Sequence, residues 1–350
     1  MKILLPVAIC AAAAMFLISV LRADEGKLVL EAGHPSLKVW LLPAQPPHPA
    51  DNKPTAQRVE LGKKLFFDPR LSATGQSSCA TCHLPERGWS DGYPKSIRLF
   101  GTVMSRASPT IVNTGYNSVQ LWDGRSPTLE HQAENGVSPT GSLNAGAVPP
   151  SDGLANIQNL RGYLEAFERA YPGEGVTPKT VARAIASFER SILSNDSPFD
   201  RWVKGDRNAM SPQQVRGFAL FTGKANCAAC HSAPNFTDNG FHNIGLNSAL
   251  EKDADVGRYK QRPVALMRGA FKTPTLRDVA LTAPYFHDGS ALTLAEVVEH
   301  YVGGGSATPS LSPSMKPLDL SADEKNDLVA FMQSLTTPRP VYVYPVLPKE

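Results

Sequence analysis

The sequence predicts a mainly α-helical protein of two like domains, on three observations. Apolar residues recur at helical spacing behind cap signals, and no convincing run of alternating strand residues appears. One pentapeptide pattern, Cys-x-x-Cys-His, occurs once in each half of the chain. A length of 350 residues suits two domains with cores of their own. With 42% hydrophobic and 19% charged residues the composition is globular, which excludes global disorder. Lys and Arg number 35 against 32 Asp and Glu, so no basic field for nucleic acid exists. Thirty prolines and 27 glycines imply long irregular connections between short elements.

The chain opens with Lys2 and an uncharged run from Ile3 to Leu21, followed by Arg22-Ala23-Asp24-Glu25. Residues 1–23 read as an export signal cleaved after Ala23; the alternative is an uncleaved anchor, which alone would bring the chain to a membrane. A periplasmic location is expected. Residues 24–54 are proline-rich without a period and read as an extended arm. A helix follows near Ala56–Phe67, with Leu61 and Leu65 on one side and Pro69 after its end. From Leu84 to Pro150 the chain is rich in Gly, Pro, Ser and Asn with few periodic segments, and such loops cover a site or carry one. Thr177-Pro178 pairs an N-cap with a first-turn proline, and Val181, Ile185, Phe188 and Ile192 continue at helical spacing. Ser211-Pro212-Gln213-Gln214, Thr293-Leu294-Ala295-Glu296 and Ser321-Ala322-Asp323-Glu324 are capping boxes, each opening a helix. Gly303-Gly304-Gly305 follows a helix and reads as a C-terminal cap, not a phosphate loop. The expected domains are 55–200 and 201–340, joined near 195–210, with internal repetition limited to the cysteine motifs and the helices before them.

The motifs read Cys79-Ala80-Thr81-Cys82-His83 and Cys227-Ala228-Ala229-Cys230-His231. Two disulfides would explain four cysteines in an exported protein but not the histidine after each pair. A four-cysteine zinc site fails on the same point. Cys-x-x-Cys-His is the attachment sequence of c-type haem, in which two thiols add to the vinyl groups and the histidine supplies an axial nitrogen. The expectation is two cytochrome c-like domains, each with one covalent c-type haem, joined by long irregular loops. Function then turns on the second axial positions, because a haem with two strong protein ligands moves electrons and one with an empty position binds peroxide or oxygen. The remaining histidines (His34, His48, His131, His242, His287, His300), the methionines and the tyrosines are the candidates.

Several longer motifs accompany the cysteines. They are Leu65-Phe66-Phe67-Asp68-Pro69-Arg70-Leu71-Ser72, Trp122-Asp123-Gly124-Arg125, Thr273-Pro274-Thr275-Leu276-Arg277 and Thr282-Ala283-Pro284-Tyr285-Phe286-His287-Asp288-Gly289. With them, roughly residues 55–340 resemble the bacterial di-haem cytochrome c peroxidases together with MauG, the maturation enzyme of methylamine dehydrogenase. The resemblance implies that the residue fourteen positions after His287, which is Tyr301, ligates the C-terminal haem, as a tyrosine does in MauG where the peroxidases use methionine. On helical period alone Tyr301 is a core aromatic, and Met315 and Met267 are the fallback ligands. At the N-terminal haem many peroxidases place a removable histidine sixteen residues beyond the motif histidine; here that position is Leu99, which implies an iron open at rest. The resemblance also implies that Trp122 relays charge between the haems and that Gln132 hydrogen-bonds the bound oxygen ligand.

Two departures stand out. The family's catalytic glutamate falls on Ser142, and the asparagine that ligates its interdomain calcium falls on Ala107, leaving carbonyls of Thr282 and Pro284 for a weak Ca2+ site. The expected function is a periplasmic peroxidase of the MauG-like branch, acting on hydrogen peroxide. Its reductant would be a small redox protein (a cytochrome c or a cupredoxin) or, in the MauG-like alternative, a side chain of a protein substrate. A non-enzymatic di-haem electron carrier is the third reading.

Overall fold

The computed structural model describes residues 28–98, 101–144 and 151–349; the leader and Leu99 lie outside the described residues. The N-terminal half contains α1 (Ala56–Phe67), α2 (Leu129–Val137), α3 (Arg161–Ala170) and α4 (Pro178–Glu189). These close over a core that includes Leu65, Phe66, Trp89, Phe167, Ile185 and Phe188. The C-terminal half contains α5 (Pro198–Val203), α6 (Pro212–Thr222), α7 (Leu294–Gly303) and α8 (Ala322–Gln333). Its core is aromatic, with Trp40, Phe199, Phe218, Phe221, Phe236 and Phe331 in mutual edge-on or tilted contact. The described sheet is a single antiparallel pair, β1 (Phe241–His242) with β2 (Phe271–Lys272). No helix among the described residues is long and apolar enough to cross a membrane.

The cap signals operate as expected. Thr177, Ser211, Thr293 and Ser321 each accept a backbone N–H three residues on, closing α4, α6, α7 and α8 at their starts. Each such cap contributes about 1 kcal/mol. The stretch read as loops contains α2, which is nine residues long and shows only Leu129, Ala133 and Val137 as its buried stripe. The arm is not wholly extended: Pro35–Trp40 forms a 3-10 helix, whose three-residue turn puts Leu37 and Trp40 on one face and buries both in the C-terminal core. The expected junction is itself helical, and Phe199 and Trp202 of α5 pack in the same core. At the other end Tyr342 packs on Phe67 and Trp89 of the N-terminal core. The segments around Trp40 and Tyr342 thus each pack against the half farther away in sequence.

Internal repetition is more extensive than the motifs and their preceding helices. Trp89 and Phe236 both take a left-handed backbone after the motif histidine, and Asn113 and Asp278 both do so before a 3-10 turn. Leu121-Trp122-Asp123-Gly124 matches Phe286-His287-Asp288-Gly289, with positive φ at both ends of each and bridges Gln120–Ser126 and Tyr285–Ala291 closing each loop. Seven residues after the first of these residues, Thr128 and Thr293 cap α2 and α7. The repeat is carried by backbone conformation, so side-chain identity hides it.

In each half two helices cross at a glycine, α1 with α4 and α6 with α8. A Cβ on Gly62 of α1 would lie 1.9 Å from the Ala184 carbonyl oxygen of α4, and one on Gly217 of α6 would lie 1.9 Å from that of Asp327 in α8. The methyl would meet rigid backbone, so the helices must separate. Gly62→Ala and Gly217→Ala are each expected to cost at least about 1–3 kcal/mol, read as a lowered unfolding midpoint; an unchanged midpoint would mean the crossings are looser than drawn.

Candidate functional site

Each cysteine motif follows the first helix of its crossing pair and curls into a 3-10 turn, Cys79–Thr81 and Cys227–Ala229. The curl is closed by the histidine N–H donating to the first cysteine carbonyl, at 3.1 Å in one and 2.9 Å in the other. All four cysteines are free thiols, and among the described residues they are not gathered into one metal-binding group, which removes the disulfide and four-cysteine zinc readings. The His83 ring lies 3.0 Å through Nδ1 from the Trp89 carbonyl, and the His231 ring 2.9 Å through Nδ1 from that of Phe236. A carbonyl only accepts, so Nδ1 carries the proton and Nε2 keeps its lone pair as an axial donor. Burial lowers the pKa of both rings, which keeps them neutral, the form that ligates iron.

Both rings open on one continuous cavity of about 540 Å³, within the range of ligand sites. Its lining includes Trp122, Gln132 and Tyr301, so the sequence-predicted residues converge, and Glu189 lines it with them. Met315 also lines it, whereas Met267 does not. Gln132 reaches it from α2 and Tyr301 from α7, the two helices that the internal repeat equates. By that equivalence Gln132 matches Val297, and Tyr301 matches Gly136, fourteen residues after Trp122.

Trp122 sits where the halves meet. Its indole N–H donates to the Ala107 carbonyl at 2.9 Å, and its own carbonyl accepts from the Lys272 N–H at 2.8 Å. Reciprocally, the Ala107 N–H donates to the carbonyl of His287, the repeat partner of Trp122, at 2.8 Å. The two rings lie 6.4 Å apart, and His287 stacks on Phe271 at 3.5 Å. Burial lowers the His287 pKa to about 4, so that ring is neutral. Arg106 clamps the same junction, pairing with Asp255 at 2.6 Å and Asp123 at 2.9 Å. Trp122 is therefore fixed by two hydrogen bonds to backbone groups in the lining of the cavity that both histidines share.

A model of the family described as di-haem cytochrome c peroxidase matches residues 56–208, and one described as cytochrome c matches residues 214–336. The chain is 42% identical over 307 residues to the methylamine utilization protein MauG of Methylorubrum extorquens, covering 87% of this chain and 86% of that protein. The chain belongs to the di-haem cytochrome c peroxidase family. It is also 37% identical to the cytochrome-c peroxidase IdrP1 of Denitromonas iodatirespirans, over 84% of this chain and 85% of that one. A solved MauG-like protein associated with microbial copper homeostasis superposes with a TM-score of 0.78 at 32% identity, covering 85% of this chain and 95% of that one. The family acts on peroxide, and its two cytochrome c domains carry covalent haem c. The residues fit that cofactor: a thiol pair and a pinned neutral imidazole in each half, opening on a largely apolar cavity. Ala107, which the resemblance sets against a calcium-ligating asparagine, contributes no side-chain oxygen, and its carbonyl accepts from the indole.

Glu189 is a buried carboxylate of the cavity lining that sequence reading does not single out. The available signal was a carboxylate on the buried stripe of α4, four residues after Ile185 and eight after Val181.

Proposed function

We propose that the chain is an exported di-haem peroxidase of the MauG-like branch, reducing hydrogen peroxide at the N-terminal haem. That haem is held by Cys79, Cys82 and His83. The C-terminal haem, held by Cys227, Cys230, His231 and Tyr301, relays or stores oxidising equivalents. The observation that carries this reading is the repeat equivalence of Tyr301 with Gly136: one half has a phenol at that position, in the cavity lining, and the other has a glycine, which has no side chain to offer an iron. When bound, a haem with a vacant face accepts peroxide, and one capped on both faces moves electrons.

The protein's own residues then have distinct tasks. The Trp89 and Phe236 carbonyls orient His83 and His231. The Gln132 amide donates to a bound oxygen ligand. Trp122 bridges the sites along the path for charge. Tyr301 also favours a second reading, MauG-like oxidation of a protein side chain at long range, because a phenolate is a hard anionic donor suited to retaining oxidised iron.

The test is spectroscopic. The ferric protein should give one high-spin and one low-spin signal, and peroxide without added reductant should bleach the Soret band. Two low-spin centres inert to peroxide would overturn the reading and leave an electron carrier.

A further inference from the structure

We propose that Glu189 is the proton-carrying group at the open face of the N-terminal haem site. The inference rests on the peroxidase reading above and names the group that reading lacks, since Ser142 stands where the family's glutamate would be.

Position is the first ground. The helix crossings set a register between the halves: Ala184 matches Asp327 under the two glycines, and four residues on Phe188 matches Phe331, each the side chain met next by the glycine. The following residues, Glu189 and Met332, both line the cavity. The C-terminal half therefore lines the cavity with Met332, Val297 and Tyr301, while the N-terminal half lines it with Glu189 and Gln132 at the first two matching places and has Gly136 as the repeat partner of Tyr301. An apolar wall ending in a candidate ligand is replaced by two polar groups and a glycine, beside which the Ser142 hydroxyl lies 3.5 Å from where a Cβ would be.

Pairing is the second ground. Glu189 is 4% exposed, and its Oε2 has no hydrogen-bond partner among the described residues. Arg190, its neighbour on α4, is committed to Glu130 of α2 through contacts of 2.6 and 2.9 Å. The Cys79 sulfur lies close enough for Glu189 to help raise the pKa of its free thiol, and once joined to haem it carries no ionisable proton. A buried carboxyl oxygen without a partner is costly unless something enters the cavity to meet it. Burial pushes the Glu189 carboxyl up to about 8, with Arg190 opposing and Glu130 adding to the rise. Below that pH it is neutral and idle as a base; above it the carboxylate takes a proton.

In the family's activity one hydrogen peroxide takes two electrons and two protons and leaves as two waters. The part assigned to Glu189 is to accept the proton of the near oxygen and hand it to the far oxygen, so that water leaves and Glu189 is regenerated. The electrons come from the haem pair and finally from the reductant.

The experiment compares holoprotein with Glu189→Gln, Glu189→Asp and Glu189→Met, the last copying the other half. Wild-type Soret bleaching by peroxide should quicken as the pH rises through about 8. The Gln and Met variants should bleach at least about a hundredfold more slowly and without that pH dependence, while Asp retains it. Independently, the infrared spectrum of the wild type should show a protonated-carboxyl band at neutral pH that vanishes as the pH passes about 8 and is missing in Glu189→Gln. Wild type that does not bleach at all defeats the peroxidase reading. Wild type that bleaches while Glu189→Gln keeps its rate and pH profile overturns the assignment to Glu189. Should the variants fail to load haem, the absence of a titrating carboxyl band in the wild type would overturn it equally.

Discussion

Tyr301→Phe should leave both haems attached and turn the C-terminal one into a second high-spin ferric centre. Tyr301 sits in the last turns of α7, with its ring 6.4 Å from that of Phe286 and 5.5 Å from that of His300. The residue lines the cavity and is enclosed by its surroundings. Burial, with the Cys227 and Cys230 thiols close by, raises the phenol pKa far above its usual value, so the phenol is neutral until a cation draws its proton off. Phenylalanine keeps the ring and its packing and removes only the oxygen. Losing an anionic donor destabilises ferric iron, so the reduction potential of that haem should rise by on the order of 0.1 V, within the roughly 0.8 V that axial ligands span. The oxidised state left after peroxide should also be shorter-lived in the variant. Unchanged spin state and potential would make Tyr301 a packing residue. Met315 lines the same cavity, and Met315→Leu would then be the variant that moves the potential.

What could be read in the sequence was whatever acts locally. Thr177, Ser211, Thr293 and Ser321 declare helix starts because a cap is a contact between a side chain and an N–H three residues away. The cysteine motifs declare their chemistry within five residues. Long-range features left weaker marks. Trp40 reads as part of a proline-rich arm, yet its ring packs on Phe218 and Phe236, about half the chain's length away. The repeat that equates Gly136 with Tyr301 is written in positive φ at Leu121 and Phe286 and in the loops that follow, not in matching side chains. Helix α3 opens without a side-chain cap, so its start carried no signal of that kind. Glu189 illustrates the same limit: a carboxylate on an apolar stripe is visible in sequence, but only the fold places it in the cavity with Gln132.

Arg277→Met should cost about 3–5 kcal/mol, the usual result of stripping one partner from a buried ion pair. Arg277 is fully buried, and Nη1 lies 2.9 Å from both carboxylate oxygens of Asp200, itself 1% exposed. Nη2 donates to the carbonyls of Trp40 at 2.9 Å and Pro234 at 3.0 Å. One guanidinium therefore joins the arm, α5 and the segment after the second cysteine motif, all of which frame the C-terminal core. Methionine fills much of the volume but leaves the Asp200 carboxylate and two carbonyls facing apolar surroundings, and their desolvation dominates the loss. Lysine would not rescue it, because a single ammonium cannot span a carboxylate and two separate carbonyls as the planar fork does. Adding Asp200→Asn to Arg277→Met should recover part of the loss, since it removes the stranded charge; the shortfall from additivity measures the coupling. Release of the Trp40 carbonyl should also expose the arm to limited proteolysis in the single variant. An Arg277→Met protein that melts with the wild type and resists protease equally would show that the aromatic core alone holds these segments.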